Sequence, residues 1–469
     1  MHRRSLLAAA LLVSVAVLAP VTQAAHAPKQ QYVAPAGSGA LFLVSGHGWG
    51  HGVGMGQWGA EGYALQGYTY DQILSAYYPG TTPAQTTVKT IRVLVASGKK
   101  QLLVSSDAPI AVADATGAKH TLAAGRTKLT RAFKLAVDGG PATALEPPLT
   151  LSPAAGSSLT LGRAYRGKLV VDVVNGKLQA VNILPLEQYL DSVVASEMPS
   201  TWLPDALEAQ AVASRSFAVA ARRPGGPFDV YPDGRSQAYL GLSAETPEAT
   251  AAVEATAGEV LMYGGKVATT VFSSSTGGWT QSAQDAWGGA RPYLVSEADP
   301  FDAISPYHNW GPVPVTAKTL GKALGIAGRL VDATVTRNSS KRVADLDVTS
   351  LRNGADTDAT ATGATVAAKL DLRSTWFSVG VLALLPPLPN VPVSAGSTVT
   401  LTGVVRGLRN VVLQQRTPGT AGAAWTDVQT VTPEPGTGAI SVDVTPSVTT
   451  DYRLATAAAA AAYVRIHVE

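Results

Sequence analysis

The sequence predicts an α+β protein, with β-rich parts around a two-helix segment and a smaller all-β unit at the C-terminal side. Three observations predict it. A sustained helical period of apolar residues runs through 185–221. Residues 88–183 alternate apolar and polar side chains between Gly, Asp and Asn punctuation, as in IRVLVASG and RGKLVVDVVNGKLQAVNIL. After the proline-rich stretch LPPLPNVP, short alternating runs from TVTLTGVV to AYVRIHVE read as a β-sandwich of immunoglobulin-like type over 392–469.

Length and composition set the outer bounds. A chain of 469 residues is long enough for two or three domains. Only 15% of residues are charged and the net charge is +3, too weak a basic excess to indicate nucleic acid as a partner. No cysteine is present, which excludes disulfides and thiolate metal sites. The N-terminus, MHRRSLLAAALLVSVAVLAP, has a basic start and an apolar run too short for a comfortable membrane span. Residues 1–27 therefore read as a signal peptide, with Ala25-His26-Ala27 as the cleavage site. Sec export is the default, and Arg3-Arg4 also allows a twin-arginine route. No later membrane-spanning stretch occurs, so the mature protein is expected outside the cytoplasm, secreted or at the cell wall, without membrane association after cleavage.

The two-helix segment is PLEQYLDSVVASEMPSTWLPDALEAQAVASRSFAVAA, 185–221. Pro185 suits a first helical position, and Pro199 forces the first helix to end near Met198. Leu186, Tyr189, Leu190, Val193 and Val194 form one apolar stripe, and four residues beyond Val193 the stripe reaches Glu197. A carboxyl on the buried face at a helix C-terminus is disfavoured as an anion by desolvation and by the helix dipole. That is the state a general acid needs. The pattern equally admits a helix-end glutamate turned to water or paired with an arginine, which is the commoner case. Pro204 opens the second helix, whose stripe is Leu207, Ala211, Ser214 and Ala218. Arg215 lies beside that stripe, placed to pair with Glu197, to meet a polymer substrate, or to snorkel to the surface.

A second informative stretch is 45–82, beginning SGHGWGHGVGMGQWGA, with Gly at every second position from 46 to 56. No regular element tolerates that density, so the backbone must turn tightly or approach something closely. His47, Trp49, His51 and Gln57 decorate it as a sugar-binding surface would, since Trp faces stack on pyranose rings while His and Gln bond hydroxyls. Gly54, Gly56 and Gly59 match a dinucleotide fingerprint in letters only, because no suitable acidic residue follows about twenty positions on. His47 and His51 resemble a zinc half-site, but the glycines exclude a helical pair and thiolates are absent, so no metal is expected. A helix broken around Gly67 is expected over 63–77, a strand over 239–242, and a hairpin on Gly264-Gly265. ATTVFSSSTGGWTQS then reads as a strand running into a polar loop, without the G-x-S-x-G elbow of a serine hydrolase.

Three of these blocks resemble the SpoIID/LytB family, that is, stage II sporulation protein D and the amidase enhancer. They are YLDSVVASEMPSTWLPDALEAQAVASRSFA, then SQAYLG followed by TAGEVLMYGGKVATTVFSSSTGGWTQS, and GHGWGHGVGMGQWGA with YDQILSAYYPGT. The resemblance implies one SpoIID-type domain over 41–384, behind a linker at 28–40 and separated by a linker at 385–391 from the sandwich. It also implies peptidoglycan glycan strands as substrate, lytic transglycosylase chemistry on strands stripped of peptides, and no cofactor. The family's catalytic acid falls on Glu197 and its conserved-motif arginine on Arg215. The expected substrate-binding set is His47, Trp49, His51, Gln57, Gln210, Gln237, Tyr239, Ser274, Ser275, Gly277 and Gly278. Three features depart from the family pattern. The Gly-rich block is N-terminal, as in the permuted actinobacterial members; Glu208 stands where the family has Lys; and Ser236 stands where sporulation members often have His. The family also implies an alternative, a non-catalytic wall-binding protein that enhances an N-acetylmuramoyl-L-alanine amidase, with that wall amidase as partner.

Overall fold

A computed structural model of the protein describes residues 31–37, 39–352, 355–387, 391–419 and 423–469. The expected signal peptide, the start of the linker at 28–40 and the centre of the linker at 385–391 lie outside these. Helices α1 (Gln57–Leu65) and α2 (Tyr70–Tyr77) follow the Gly-rich block, and α3 (Leu186–Glu197) and α4 (Pro204–Ala220) form the central pair. Helix α5 (Pro247–Ala255) packs on both members of that pair. Three short helices follow, α6 (Ala283–Trp287), α7 (Ala317–Leu324) and α8 (Gly363–Leu370). Among the described residues, no helix is long and apolar enough to cross a membrane.

The apolar stripes of α3 and α4 drive their pairing. All five stripe residues of α3 are buried, as are Leu207, Ala211, Ser214 and Ala218 of α4. Pro204 opens α4 at its first turn, where a missing N–H costs nothing. Pro185 caps α3, which starts one residue later than the sequence suggests, because Pro185 still pairs with Thr90 as the last residue of a strand.

That strand belongs to the β-rich segment. Its larger sheet is antiparallel, in the order Thr90–Lys99, Lys177–Pro185, Lys168–Val174, Leu149–Pro153, Ile110–Ala113, Lys119–Leu122. A second sheet contains Gln101–Ser106 and Gly125–Thr130, and leucines and valines from both sheets, among them Leu102, Leu129, Leu149 and Leu169, form one core. The chain leaves this β unit directly into α3 from Lys177–Pro185, a strand paired on both sides, so the start of the Glu197 helix is fixed by the sheet.

The Gly264-Gly265 hairpin forms with both glycines at positive φ, as a two-residue loop of type I′ requires. Two expectations change. Residues 239–242 form no strand, since Gly241 turns the chain at φ 78° into a short 3₁₀ turn, Leu242–Ala244. Helix α1 begins at Gln57, well before the expected 63, and it contains Gly59 and Gly62. Those glycines are present for close packing: a Cβ at 59 would collide with Tyr77 and Asp299, and one at 62 with Phe301.

The C-terminal strands do not form a separate unit. One five-stranded sheet runs Asn309–Thr316, Leu41–His47, Phe377–Leu385, Val399–Arg406, Ala439–Val444. The proline-rich stretch therefore joins neighbouring strands of one sheet and marks no domain boundary. Both faces of this sheet are buried. Leu41, Leu43, Leu382 and Leu384 pack toward a second sheet that includes Val412–Arg416 and Thr450–Ala455. Phe42, Val44, Val381 and Ala383 pack the other way, with Leu320 of α7, Val366 of α8 and strands from the 329–362 meander. Burial on both faces explains the unbroken apolar run LFLV in place of an alternating one.

Removal of residues 390–469 is expected to uncover those four leucines, each worth roughly 1.5–3 kcal/mol of burial. The truncated protein should melt well below the full chain or aggregate. A truncated form with unchanged melting temperature in calorimetry would show that the shared sheet contributes no stability.

Candidate functional site

The site is assembled at the C-terminal end of α3. Glu197 is the last helical residue and is half-buried. Its Oε1 accepts a hydrogen bond from the backbone N–H of Ala238 at 2.7 Å, and its Oε2 accepts a longer one from Nε2 of Gln57 at 3.4 Å. Burial pushes its carboxyl pKa above the usual range, and these two hydrogen bonds only partly oppose the shift. No neighbouring carboxylate contributes, so desolvation is the cause.

Behind the carboxyl lies a buried amide network. Gln57 Nε2 also stands 3.5 Å from Oε1 of Gln210, whose Nε2 donates to Ser214 Oγ at 2.8 Å. Gln237 donates to the Ser214 carbonyl at 3.3 Å and accepts from the Tyr189 hydroxyl at 3.1 Å. Gln210 and Gln237 are essentially inaccessible. The structure thus corrects their expected role: they do not face a substrate, but position Gln57 and the 237–238 backbone against Glu197.

Gln57 arrives there through the Gly-rich block. Residues 49–58 run beside 271–281 with direct backbone contact: Trp49 and Ser275 exchange two hydrogen bonds at 2.8 and 3.1 Å, Met55–Gly56 pairs in parallel with Phe272–Ser273, and Trp58 N–H donates to Ser274 O at 3.0 Å. Gly48 has φ 74°, and a Cβ there would strike the Ser275 and Thr276 backbone. Gly52 donates to Ser273 Oγ at 3.1 Å and leaves room for the buried guanidinium of Arg342. The close approach expected from the glycine spacing is therefore an approach to the Ser274 loop.

That loop is fixed by carboxylates that sequence reasoning passes over. Asp302, fully buried, accepts from Ser275 Oγ (2.8 Å), Thr276 N (3.0 Å) and Gly277 N (3.0 Å) and contacts His308 Nδ1 at 2.9 Å. Asp299 accepts from Thr276 Oγ1 at 2.7 Å, and burial raises its pKa to about 7. Ser275 and Gly277 are buried as scaffold, Gly278 packs on His308, and Ser274 is half-buried with its carbonyl holding Trp58. The only local sign of these acids in the sequence is the pair of aspartates in DPFD, 299–302, which carries no recognisable spacing.

Arg215 is not at the site. It is fully buried and forms a bidentate pair with Glu187, at 2.6 Å from Nη2 to Oε2, and it also donates to the Val253 and Glu259 carbonyls. Glu187 lies at the opposite end of α3 from Glu197, about 15 Å away at 1.5 Å per residue. The expected pairing with Glu197 and contact with substrate are thus replaced by a clamp among α3, α4 and α5. Tyr239 is likewise buried, with its hydroxyl donating to Asn182 at 2.7 Å and its ring among Tyr165 and Tyr189. Glu208 sits near Asp205 and Glu259, and burial raises its pKa.

The imidazoles are also structural. His51 Nδ1 accepts from Val53 N–H at 2.9 Å, and burial lowers its pKa to about 4, so it stays neutral. His47 packs on Trp376, and burial also lowers its pKa. Trp49 differs: it is 41% exposed, stands edge-on to Tyr307, and lies under the Arg373 guanidinium. With Trp310 and Arg373 it borders a depression of about 370 Å³. Trp58, next to Gln57 in the chain, meets Trp202, from the corner between α3 and α4, with ring centroids 4.8 Å apart. The apolar stripes do not reveal Trp202, because it belongs to neither helix.

Residues 174–263, which include Glu197, Gln210 and Gln237, match the family described as stage II sporulation protein, SpoIID. This segment of the chain is similar to the SpoIID/LytB family. The stage II sporulation protein D of Bacillus subtilis (strain 168) is 40% identical over 148 residues, covering 27% of this chain and 42% of that one. The amidase enhancer of the same organism is 36% identical over 114 residues, 24% of this chain and 15% of that one. An uncharacterised protein of Brachyspira hyodysenteriae is 38% identical over 136 residues, 28% and 37% respectively. The chain spans less than half the length of these curated relatives. Glu197, Gln210, Gln237 and the Arg215 clamp fall inside the matched segment, while Gln57 and the Ser274 loop are brought to it from outside.

Asp299 gives the site scaffold a pH dependence of definite sign. Its folded pKa of about 7 exceeds the ordinary 3.8, so the folded state holds a proton that the unfolded chain releases between those values. Its contribution to stability is complete below about pH 4 and is lost as pH rises toward 7, at up to about 1.4 kcal/mol per pH unit. Asp299→Asn should flatten the fall in melting temperature over that window; an identical slope in the variant would assign the pH dependence to other groups.

Proposed function

We propose that the protein acts on the bacterial cell wall as a lytic transglycosylase that cleaves peptide-free glycan strands of peptidoglycan, with Glu197 as general acid and base. The observation that carries this reading is Glu197 itself: a half-buried carboxyl at a helix end, its pKa raised by desolvation and its oxygens held by the Ala238 N–H and Gln57. Protonated Glu197 donates its proton to the bridging glycosidic oxygen as the bond from that oxygen to the muramic anomeric carbon breaks. The hydroxymethyl oxygen of the same muramic sugar then closes onto the anomeric carbon and returns its proton to Glu197. One carboxyl is enough, because the nucleophile is internal and no water needs a second base. The Ala238 N–H and Gln57 hold the carboxylate between the two steps, and Trp58 and Trp202 offer ring faces to a sugar.

The reading places the protein outside the cytoplasm, exported through its N-terminal segment. A second reading rests on the similarity to the amidase enhancer: a wall-binding protein that stimulates a wall amidase. The aromatic shelf around Trp49 serves either function.

Mass spectrometry of peptide-free glycan strands incubated with the protein distinguishes them. Anhydro-muramic ends are expected, and Glu197→Gln should lower their rate of formation on the order of 10²–10⁴-fold with little change in melting temperature. Reducing ends would make the enzyme a hydrolase, and no cleavage by the wild type, with stimulation of an added amidase, would transfer the function to the second reading. Trp49→Ala should weaken glycan binding about fivefold in calorimetric titration without altering the fold. Equal affinities would remove the Trp49 shelf from substrate recognition.

A further inference from the structure

The molecule concentrates positive charge at a place remote in sequence from Glu197. A depression of about 840 Å³ opens where α7 and the strand Arg329–Arg337 meet the C-terminal strand Val464–Ile466. Lys318, Lys322, Arg329 and Arg465 line it, and no lining residue is acidic. Lys318 and Lys322 are four residues apart on α7 and project from one face. Both also line a second depression of about 490 Å³, which adds Lys369 of α8 and again contains no carboxylate. The two recesses therefore form one basic track across α7.

The arginines in the track are pre-positioned. Arg465 is held by Asp451 through Nε to Oδ1 at 2.7 Å, and the fully buried Asp451 also accepts from Arg416 at 3.2 Å, so two guanidinium groups share one carboxylate. Arg329 is half-buried and donates to the Leu384 carbonyl at 3.0 Å, with no carboxylate paired to it among the described residues. A partly desolvated cation without a counter-ion is costly, and an incoming anion relieves that cost. Arg and Lys together suit phosphate, one through its planar fork and the other as a point charge. A single phosphate ion would occupy little of this space, whereas a flexible chain with repeated charges fills the length of the track.

We propose that this track binds a flexible polyanionic chain bearing repeated phosphodiester groups, at a site separate from the glycan-cleaving centre. The inference does not depend on the catalytic reading, because none of the track residues contacts Glu197 or its network. It implies a protein that holds a phosphate-rich polymer with one surface while Glu197 faces another.

The test is titration of the purified protein with soluble poly(glycerol phosphate), by calorimetry at several salt concentrations. Wild-type protein should bind, with affinity falling steeply as salt rises. The double variant Lys318→Glu, Lys322→Glu should lose at least tenfold in affinity at an unchanged melting temperature, and Lys369→Glu alone should lose a smaller factor. Absence of wild-type binding, or equal affinity in the double variant, overturns the proposal. Equal affinity for polygalacturonate overturns the phosphate assignment. Tighter binding to a single-stranded oligonucleotide, or to vesicles containing phosphatidylglycerol, replaces the proposed ligand with nucleic acid or membrane surface respectively.

Discussion

The close approach of two backbones, 48–58 and 271–281, is the constraint on which the candidate site depends. Without it Gln57 would not reach a carboxyl that lies 140 residues away in the chain. The approach in turn needs residues without side chains at 48 and 52, where the Ser275–Thr276 backbone and the Arg342 guanidinium occupy the space a Cβ would take. The buried acids Asp299 and Asp302 then secure the loop from behind through hydroxyl and backbone donors. The chemistry of Glu197 is thus held from below by a helix leaving a β-sheet and from the side by this paired-backbone platform.

The helix was legible in the sequence, and the platform only in part. The period of Leu186, Tyr189, Leu190, Val193 and Val194 carries phase information, and extending that phase selects Glu197 without any tertiary knowledge. The glycine alternation shows that something is approached closely, but not what. Arg215 illustrates the limit well. Both Glu187 and Glu197 lie on the preceding helix, and only the orientation of α3 against α4 and α5 decides that the arginine meets the first. Gln210 and Gln237 entered only through the family resemblance, as substrate contacts, while their burial follows from packing that no local pattern encodes.

The same distinction explains the C-terminal strands. Their alternation is plain in the sequence, yet alternation does not identify the neighbouring strand. The run LFLV at 41–44 marks a strand covered on both faces, and the structure supplies the two covers, one from the C-terminal strands and one from α7, α8 and the adjoining meander. The strands on either side of the proline-rich stretch are paired neighbours in one sheet. The architecture joins the entry to the Gly-rich block and the C-terminal strands through shared hydrogen bonds.

That shared sheet imposes an order of assembly. The strand Leu41–His47 is made early, yet its two partners are Asn309–Thr316 and Phe377–Leu385. During synthesis it must wait for more than half of the chain before either neighbour exists. Loop closure over such separations is slow, and unpaired strand edges stay exposed meanwhile. The Gly-rich block that follows it likewise has no backbone partner until residues 271–281 have been made.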